Sequence, residues 1–352
     1  MTHYRLFRRA ALAGALALPI LTTGCGLFSQ PASESIDPPQ NGTQNVSTNV
    51  DPGSATTAAQ GDQSQMTLYL SDRNGLLAPV TVMAALGQDE KPGQKALEMM
   101  VDGGTYANEL PDGFNAVLPK GTTIKQLTLI PDQKQAVVDF SKEFGDYTAS
   151  EERKIVEAVT WTLTSLPDVK NVKIWMEGKE LAEMPQDGMP IDEPLTRAVG
   201  INLEAADGVD YSTSVPVTIY FSALSPDNEP YYVPVTRLVN RSNNRAKTAI
   251  EQLINGPIGN QPLKAVVTPD VVVKNVSKAK DVVTVELQDD SYQPGTQEPA
   301  EMLQAVILSL TENTGLSKVQ IKLNGKTDFV DTMNQSYSEP VSRPEHVNAF
   351  KS

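Results

Sequence analysis

Few residues in this chain could carry chemistry. It has one cysteine, Cys25, and two histidines, His3 and His346. A single cysteine cannot form a disulfide within the chain, and a zinc site of Cys and His ligands lacks enough donors. A Ser-His-Asp or Cys-His nucleophile would rest on His346 alone, which follows Pro344 in a polar C-terminal stretch that reads as a solvated tail. No glycine-rich phosphate loop with its lysine, no dinucleotide fingerprint and no calcium loop is present. Paired carboxylates are the remaining catalytic option, since a glycosidase needs only two. Asp289-Asp290 lies just past an expected strand, and Glu151-Glu152 falls in an expected first helical turn, where the helix dipole already favours acid. Asp139 alternates with Val138 and Phe140 and so points off the core face. The reading is a non-enzymatic chain without cofactor or metal, in which Cys25 is the residue with assignable chemistry.

The residues around Cys25 say what that chemistry is. His3, Arg5, Arg8 and Arg9 give a positive start, and Ala10 to Leu21 form an apolar run too short to span a bilayer. The run ends in Leu21-Thr22-Thr23-Gly24-Cys25. This resembles the lipobox of bacterial lipoproteins, with Thr22 where Leu is commonest. The implied product is a chain cleaved before Cys25 and diacylated on it, and two or more acyl chains anchor stably where one is marginal. Ser, Thr, Pro, Asn, Gln and Gly dominate from Gly26 to Gln65, a composition expected of a disordered tether. As a coil of roughly forty residues it would hold the folded part about 35 Å from the lipid on average. The formal charge is −14, and removing the leader deletes three arginines and no acid. So acidic a surface repels nucleic acid and anionic headgroups, which leaves a covalent lipid as the membrane attachment.

The elements that must carry any site come in two copies, offset by about 150 residues. Thr67-Leu68-Tyr69-Leu70-Ser71 matches Thr218-Ile219-Tyr220-Phe221-Ser222. Ile155 to Lys179 runs without a gap against Met302 to Lys326, Glu193-Pro194 matches Glu339-Pro340, and Arg197 matches Arg343. Alternation and β-rich composition predict strands at 66–70, 80–83, 124–130, 136–140 and 172–176, with counterparts in the second copy. Helical spacing predicts one helix ending near Gly103 and a second that starts at a Thr148/Glu151 capping box and carries Ile155, Val159, Leu163 and Leu166 as a stripe. Glu177-Gly178 and Asn324-Gly325 read as hairpin turns.

Each copy therefore reads β-β-α-β-β-α-β-β, an α+β module with two helices on one face of a mixed sheet. At about 130 residues each is large enough for its own core. The expected divisions are a signal peptide at 1–24, lipid anchor and tether at 25–65, a first module at 66–200, a linker at 201–214, a second module at 215–345 and a tail at 346–352. Aromatic placement adds a candidate interface. Trp175 alternates against Val172, Ile174 and Met176, and Tyr69 and Tyr220 alternate against their apolar neighbours. Such off-core aromatics need something to cover them, either the other module or a partner protein.

Together, the lipobox, the tether, the strand-helix blocks ending Glu98 to Gly103 and Glu251 to Pro257, the Val138-Asp139-Phe140-Ser141 strand end and the second helix with its glycine hairpin resemble the GerM family of sporulation and germination lipoproteins, built from two GerMN domains. The second copy departs at the strand end, where Val285-Glu286-Leu287-Gln288 stands instead. The resemblance implies a fold similar to the ring-building motifs of secretion-type channels. It implies a non-enzymatic role between the mother-cell and forespore membranes, on the extracytoplasmic face, supporting a channel complex whose other members are protein partners. No nucleic acid and no small-molecule substrate are expected. The alternative is an extracytoplasmic lipoprotein that binds peptidoglycan or peptide in a cleft between modules, with Tyr231, Tyr232 and Arg237 as contributors.

Overall fold

The structure, a computed structural model, describes residues 63–87, 90–259 and 261–350. The expected leader, Cys25 and nearly all of the tether lie outside the described residues. The last positions assigned to the tether belong instead to the first strand, which begins at Gln63.

In the first module, β1 (Gln63–Asp72) and β2 (Leu77–Ala85) form a hairpin, with β3 (Phe114–Asn115) on the other side of β1. Helix α1 (Pro92–Met99) separates them in sequence, with proline in its first turn. A second sheet then runs β4 (Ile124–Ile130), β5 (Gln135–Phe140), β6 (Asn171–Met176) and β7 (Lys179–Glu180) in spatial order. Helix α2 (Glu152–Leu163) crosses between β5 and β6, which are parallel, while β4 and β7 pair antiparallel. The Thr148/Glu151 capping box forms as expected, on the short turn leading into α2. Glu177 and Gly178 carry the β6–β7 turn with φ of 52° and 75°, the left-handed pair that a tight hairpin requires.

A two-residue strand, β8 (Glu204–Ala205), precedes the second module. That module repeats the plan: hairpin β9 (Ser214–Leu224) and β10 (Pro230–Asn240), helix α3 (Arg245–Asn255), strands β11 (Val272–Ala279) and β12 (Val282–Gln288), helix α4 (Ala300–Thr314), and strands β13 (Lys318–Leu323) and β14 (Val341–Ser342). Its four-stranded sheet is ordered β11-β12-β13-β14, again with one parallel pair, β12–β13.

Two differences from the sequence reading matter for function. The strands of each module divide between a hairpin sheet and a separate mixed sheet, and the helices touch both. This is why α2 and α4 are buried nearly all round rather than along one stripe. In α2 every residue from Ile155 to Leu163 is buried, Thr160 and Thr162 included. Thr162 and its counterpart Ser309 accept the backbone N–H of Tyr69 (2.9 Å) and Tyr220 (3.1 Å), so each helix is bonded directly to its hairpin. Secondly, the cores are not separate by module. Ala223, Tyr231 and Val233 of the second hairpin belong to the core of the first module. The C-terminal stretch expected as a solvated tail packs there too. The ring of Phe350 lies 5.0 Å from Phe114 and 6.1 Å from Tyr231, because Asn348 pins the segment between the two hairpins.

Candidate functional site

A cluster of charged and aromatic side chains, Arg197, Arg343, Glu312, Tyr69 and Tyr220, converges where the modules meet, around an approximate two-fold axis. The hairpin registers fix the equivalences. Thr67, Tyr69 and Ser71 face Thr81, Pro79 and Leu77 in one module, and Thr218, Tyr220 and Ser222 face Thr236, Pro234 and Tyr232 in the other. Each module then ends in a segment with Arg, three residues, Ile or Val, and Asn: Arg197 to Asn202 and Arg343 to Asn348.

The two asparagines act as equivalent stitches. The Asn202 side chain accepts the Leu77 N–H (2.8 Å), donates to the Leu77 carbonyl (2.7 Å), and donates across the junction to the Pro234 carbonyl (2.8 Å). The Asn348 side chain accepts the Tyr232 N–H (2.8 Å), donates to the Tyr232 carbonyl (2.8 Å), and donates across to the Pro79 carbonyl (2.7 Å). Both sit in the left-handed region, at φ 48° and 56°, which Asn tolerates better than other side-chain-bearing residues. Proline suits the recipient position because it offers a carbonyl and no competing N–H. Beyond each asparagine the chain adds in parallel to the other module's hairpin: β8 pairs with β10 at Glu204–Arg237, and Ala349 with Thr81. By this symmetry Asn202→Ala and Asn348→Ala should each cost about 2 kcal/mol, from bonds lost and polar groups left unpaired. Urea unfolding of the two variants should agree within about 1 kcal/mol, and a cost confined to one of them would contradict the equivalence.

One carboxylate breaks the symmetry. Glu312 of α4 occupies the position matched by Ser165 after α2, and it accepts from Arg197 (2.9 Å), Arg343 (3.0 Å) and the Tyr220 hydroxyl (3.0 Å). Its side chain is 10 % exposed, against 25 % for Arg197 and 22 % for Arg343. Arg197 also donates to Thr164 and Ser165 at the end of α2, and lies 4.5 Å from the centre of the Trp161 ring. Arg343 donates to the Leu308 carbonyl and to Thr311 in the last turns of α4. Two guanidiniums against one carboxylate leave an excess positive charge, which the C-terminal ends of both helices offset. Burial pushes the Glu312 carboxyl up, but Arg197 and then Arg343 outweigh it and hold it below the ordinary glutamate range.

Tyr69 and Tyr220 are part of this cluster and are 2 % and 0 % exposed. Burial raises both hydroxyls above the ordinary tyrosine value. Trp175 lies elsewhere. It stands half-buried on the outer face of the first mixed sheet, in register with Asp139 on one side and Glu180 on the other, and its ring nitrogen is buried without an acceptor among the described residues. Beside the charge cluster, a cleft of about 620 Å³ opens between the modules, lined by Tyr69, Arg197, Glu312, Arg343 and the loops that follow α2 and α4. The residues anticipated for such a cleft are absent from its lining. Tyr231 is buried and donates to Asp72 (2.8 Å), Tyr232 donates to the Glu301 carbonyl, and Arg237 is held in the second module.

The paired carboxylates have structural partners. Glu151 accepts the Thr148 N–H and hydroxyl, which lower its pKa. Glu152 accepts the backbone N–H groups of Gln186, Asp187 and Met189 and the Tyr147 hydroxyl. Asp289 accepts from Ser291, Asp290 from Gln288, and Asp139 from the Gly178 N–H. The sequence reading matched Arg197 with Arg343 but missed Asn202, Asn348 and Glu312. The asparagines were within reach, five residues past each matched arginine, whereas Glu312 is invisible to repeat matching because its counterpart is Ser165.

Comparison with known proteins agrees with this architecture. The family model for Germane, described as sporulation and spore germination, matches residues 67–182 and 218–329. The spore germination protein GerM of Bacillus subtilis (strain 168) is 38% identical over 362 residues, covering 96% of this chain and 97% of that protein. The solved tandem GerMN domains of the sporulation protein GerM from Bacillus subtilis are 36% identical, with a TM-score of 0.75 over 82% of this chain and 100% of that one. With two α+β modules in tandem and a relative matched along nearly its whole length, the chain belongs to the Germane family of sporulation and spore germination proteins.

Proposed function

We propose that this chain is a non-enzymatic, membrane-anchored lipoprotein that serves as an assembly or scaffolding factor in sporulation and germination, supporting a channel complex between mother cell and forespore. The observation that carries the scaffolding part is the junction. The charged side chains beside the cleft, Arg197, Arg343 and Glu312, are engaged with one another and with Tyr220 in locking two modules into one body. The carboxylate pairs likewise cap a helix and hold loops. In this reading the leader ends at residue 24, Cys25 carries the lipid, and a tether leads to modules at 66–200 and 215–345. The lipid holds them on the extracytoplasmic face, at the mother-cell membrane that faces the forespore. Trp175, half-buried on an outer sheet face, is the side chain offered to a protein partner.

The lipid anchor is the part most open to direct test. Replacing Cys25 with Ala should move the protein from the membrane to the soluble extracytoplasmic fraction, because so acidic a chain is repelled by anionic lipid. The yield of heat-resistant spores should fall with it. Unchanged membrane retention of Cys25→Ala would exclude a lipid anchor at this residue. The ligand-binding alternative draws support from the cleft of about 620 Å³, and muropeptides that raise the melting temperature in proportion to their concentration would favour it.

A further inference from the structure

The junction between the modules has the form of a contact between two copies of one protein. Apart from the Arg197–Glu312 ion pair and the Tyr231–Asp72 bond, which occur once, the backbone-directed contacts across it recur in the two modules. The Asn202 side chain reaches the Pro234 carbonyl as that of Asn348 reaches the Pro79 carbonyl. The threonine contacts correspond with an offset of one residue: the Thr236 N–H donates to the Ile201 carbonyl (2.8 Å), and the Thr81 N–H donates to the Asn348 carbonyl (3.1 Å). The paired threonines behind them, Thr67 with Thr81 and Thr218 with Thr236, repeat at 3.1 and 2.9 Å. This is an isologous surface, self-complementary in the manner of two-fold dimers. The covalent connection between modules contributes little to it. Past Ala205 the connecting chain forms a short turn, and Ala206 donates to the Leu238 carbonyl before the chain reaches β9 at Ser214.

We propose that this junction is a docking surface whose occupant can be the opposite module of a second copy of this chain, with the length of the connection after β8 keeping the pairing within one chain. The geometry sets the requirement. β8 and β9 flank β10 on opposite sides, which places them about two strand spacings, roughly 10 Å, apart. The residues between Ala205 and Ser214 span that gap. When they are too few to do so, both strands can stay in place only if the first module of one chain docks on the second module of another. Reciprocal exchange closes a dimer, and exchange with two different neighbours produces a ring or an open filament. Nothing in this inference depends on the membrane anchor or on the channel reading.

The test uses the full chain after the leader, with Cys25→Ala and a reporter pair, Thr81→Cys with Ala349→Cys, at the strand contact between modules. Deleting residues 206–213 should double the mass by light scattering, and the cysteine pair should then join two chains on a non-reducing gel. The undeleted chain should be a monomer with the pair joined internally. A deleted chain that stays monomeric, with the pair internally joined or left unjoined, overturns the proposal. Should the deleted chain fail to fold by circular dichroism, undeleted chains with two different tags are unfolded and refolded together. Disulfide-joined mixed pairs that increase with chain concentration support exchange, and internal joining alone at every concentration overturns it.

Discussion

Glu312→Gln is expected to be among the most damaging single changes in the folded body. The substitution keeps the shape and removes the charge that two largely buried guanidiniums share, at 2.9 and 3.0 Å. Breaking a buried ion pair from one side costs about 3–5 kcal/mol, since the partner is left charged and uncompensated. In a thermal melt that corresponds to a fall of roughly 10 °C. The pH dependence has a definite sign. The Glu312 carboxyl is held below its unfolded value, so its contribution is complete above about pH 5 and is lost as pH falls through the folded pKa. The gap between wild type and variant should be flat from pH 5 to neutrality and should close only under stronger acid. A gap that opens as pH falls from 7 to 5 would contradict the assignment. Because Arg197 reaches Glu312 from the other module, the variant should also expose the junction to proteolysis between Asn202 and Ser214 before either module unfolds.

A loss of similar size is expected for Arg237→Leu. Arg237 is 0 % exposed, pairs with Glu204 (2.7 Å), and donates to Gln252 and to the Gly256 carbonyl at the end of α3. Leucine leaves those carbonyls without a donor and the Glu204 carboxylate without its cation, again about 3–5 kcal/mol. Replacing Glu204 with Leu in the same chain should recover much of the loss, since an apolar pair often stands in for a buried ion pair. Urea unfolding of the single and double variants measures the coupling directly. A double variant that loses the sum of the two single losses would show that Glu204 and Arg237 act independently.

The parts of this molecule legible in the sequence are those set by local pattern. The repeat, the capping box at Thr148, the Glu177-Gly178 turn and the order of elements depend on neighbours within a few residues, and all are found. The split into two sheets was hidden. Burial of α2 on all sides runs through Thr160 and Thr162, polar residues that a stripe analysis assigns to water. The C-terminal stretch misled for a similar reason. Its polarity reads as solvation, but Asn348 spends its amide on backbone groups of two strands, and polar side chains that substitute for a β-ladder look the same in sequence as polar side chains in a tail. The site was half legible. Tyr69 and Tyr220, read as off-core, are fully covered, Tyr69 within the core of the first module, and the carboxylate beside them stands where the other repeat has Ser165, so the comparison that revealed the modules concealed the residue that joins them.

The measurement that bears most directly on the assembly reading is affinity capture of the tagged chain from sporulating cells after mild crosslinking, run beside Trp175→Lys. Lysine is what the second module carries at the equivalent place, Lys322, half-buried as Trp175 is, so the variant should fold with a stability change of no more than about 1 kcal/mol. The account predicts that proteins of the two facing membranes dominate the wild-type capture and are depleted several-fold by Trp175→Lys. Recovery of cell-wall fragments alone, equal from both chains, would contradict it and would move attention to the cleft beside Arg197 and Arg343.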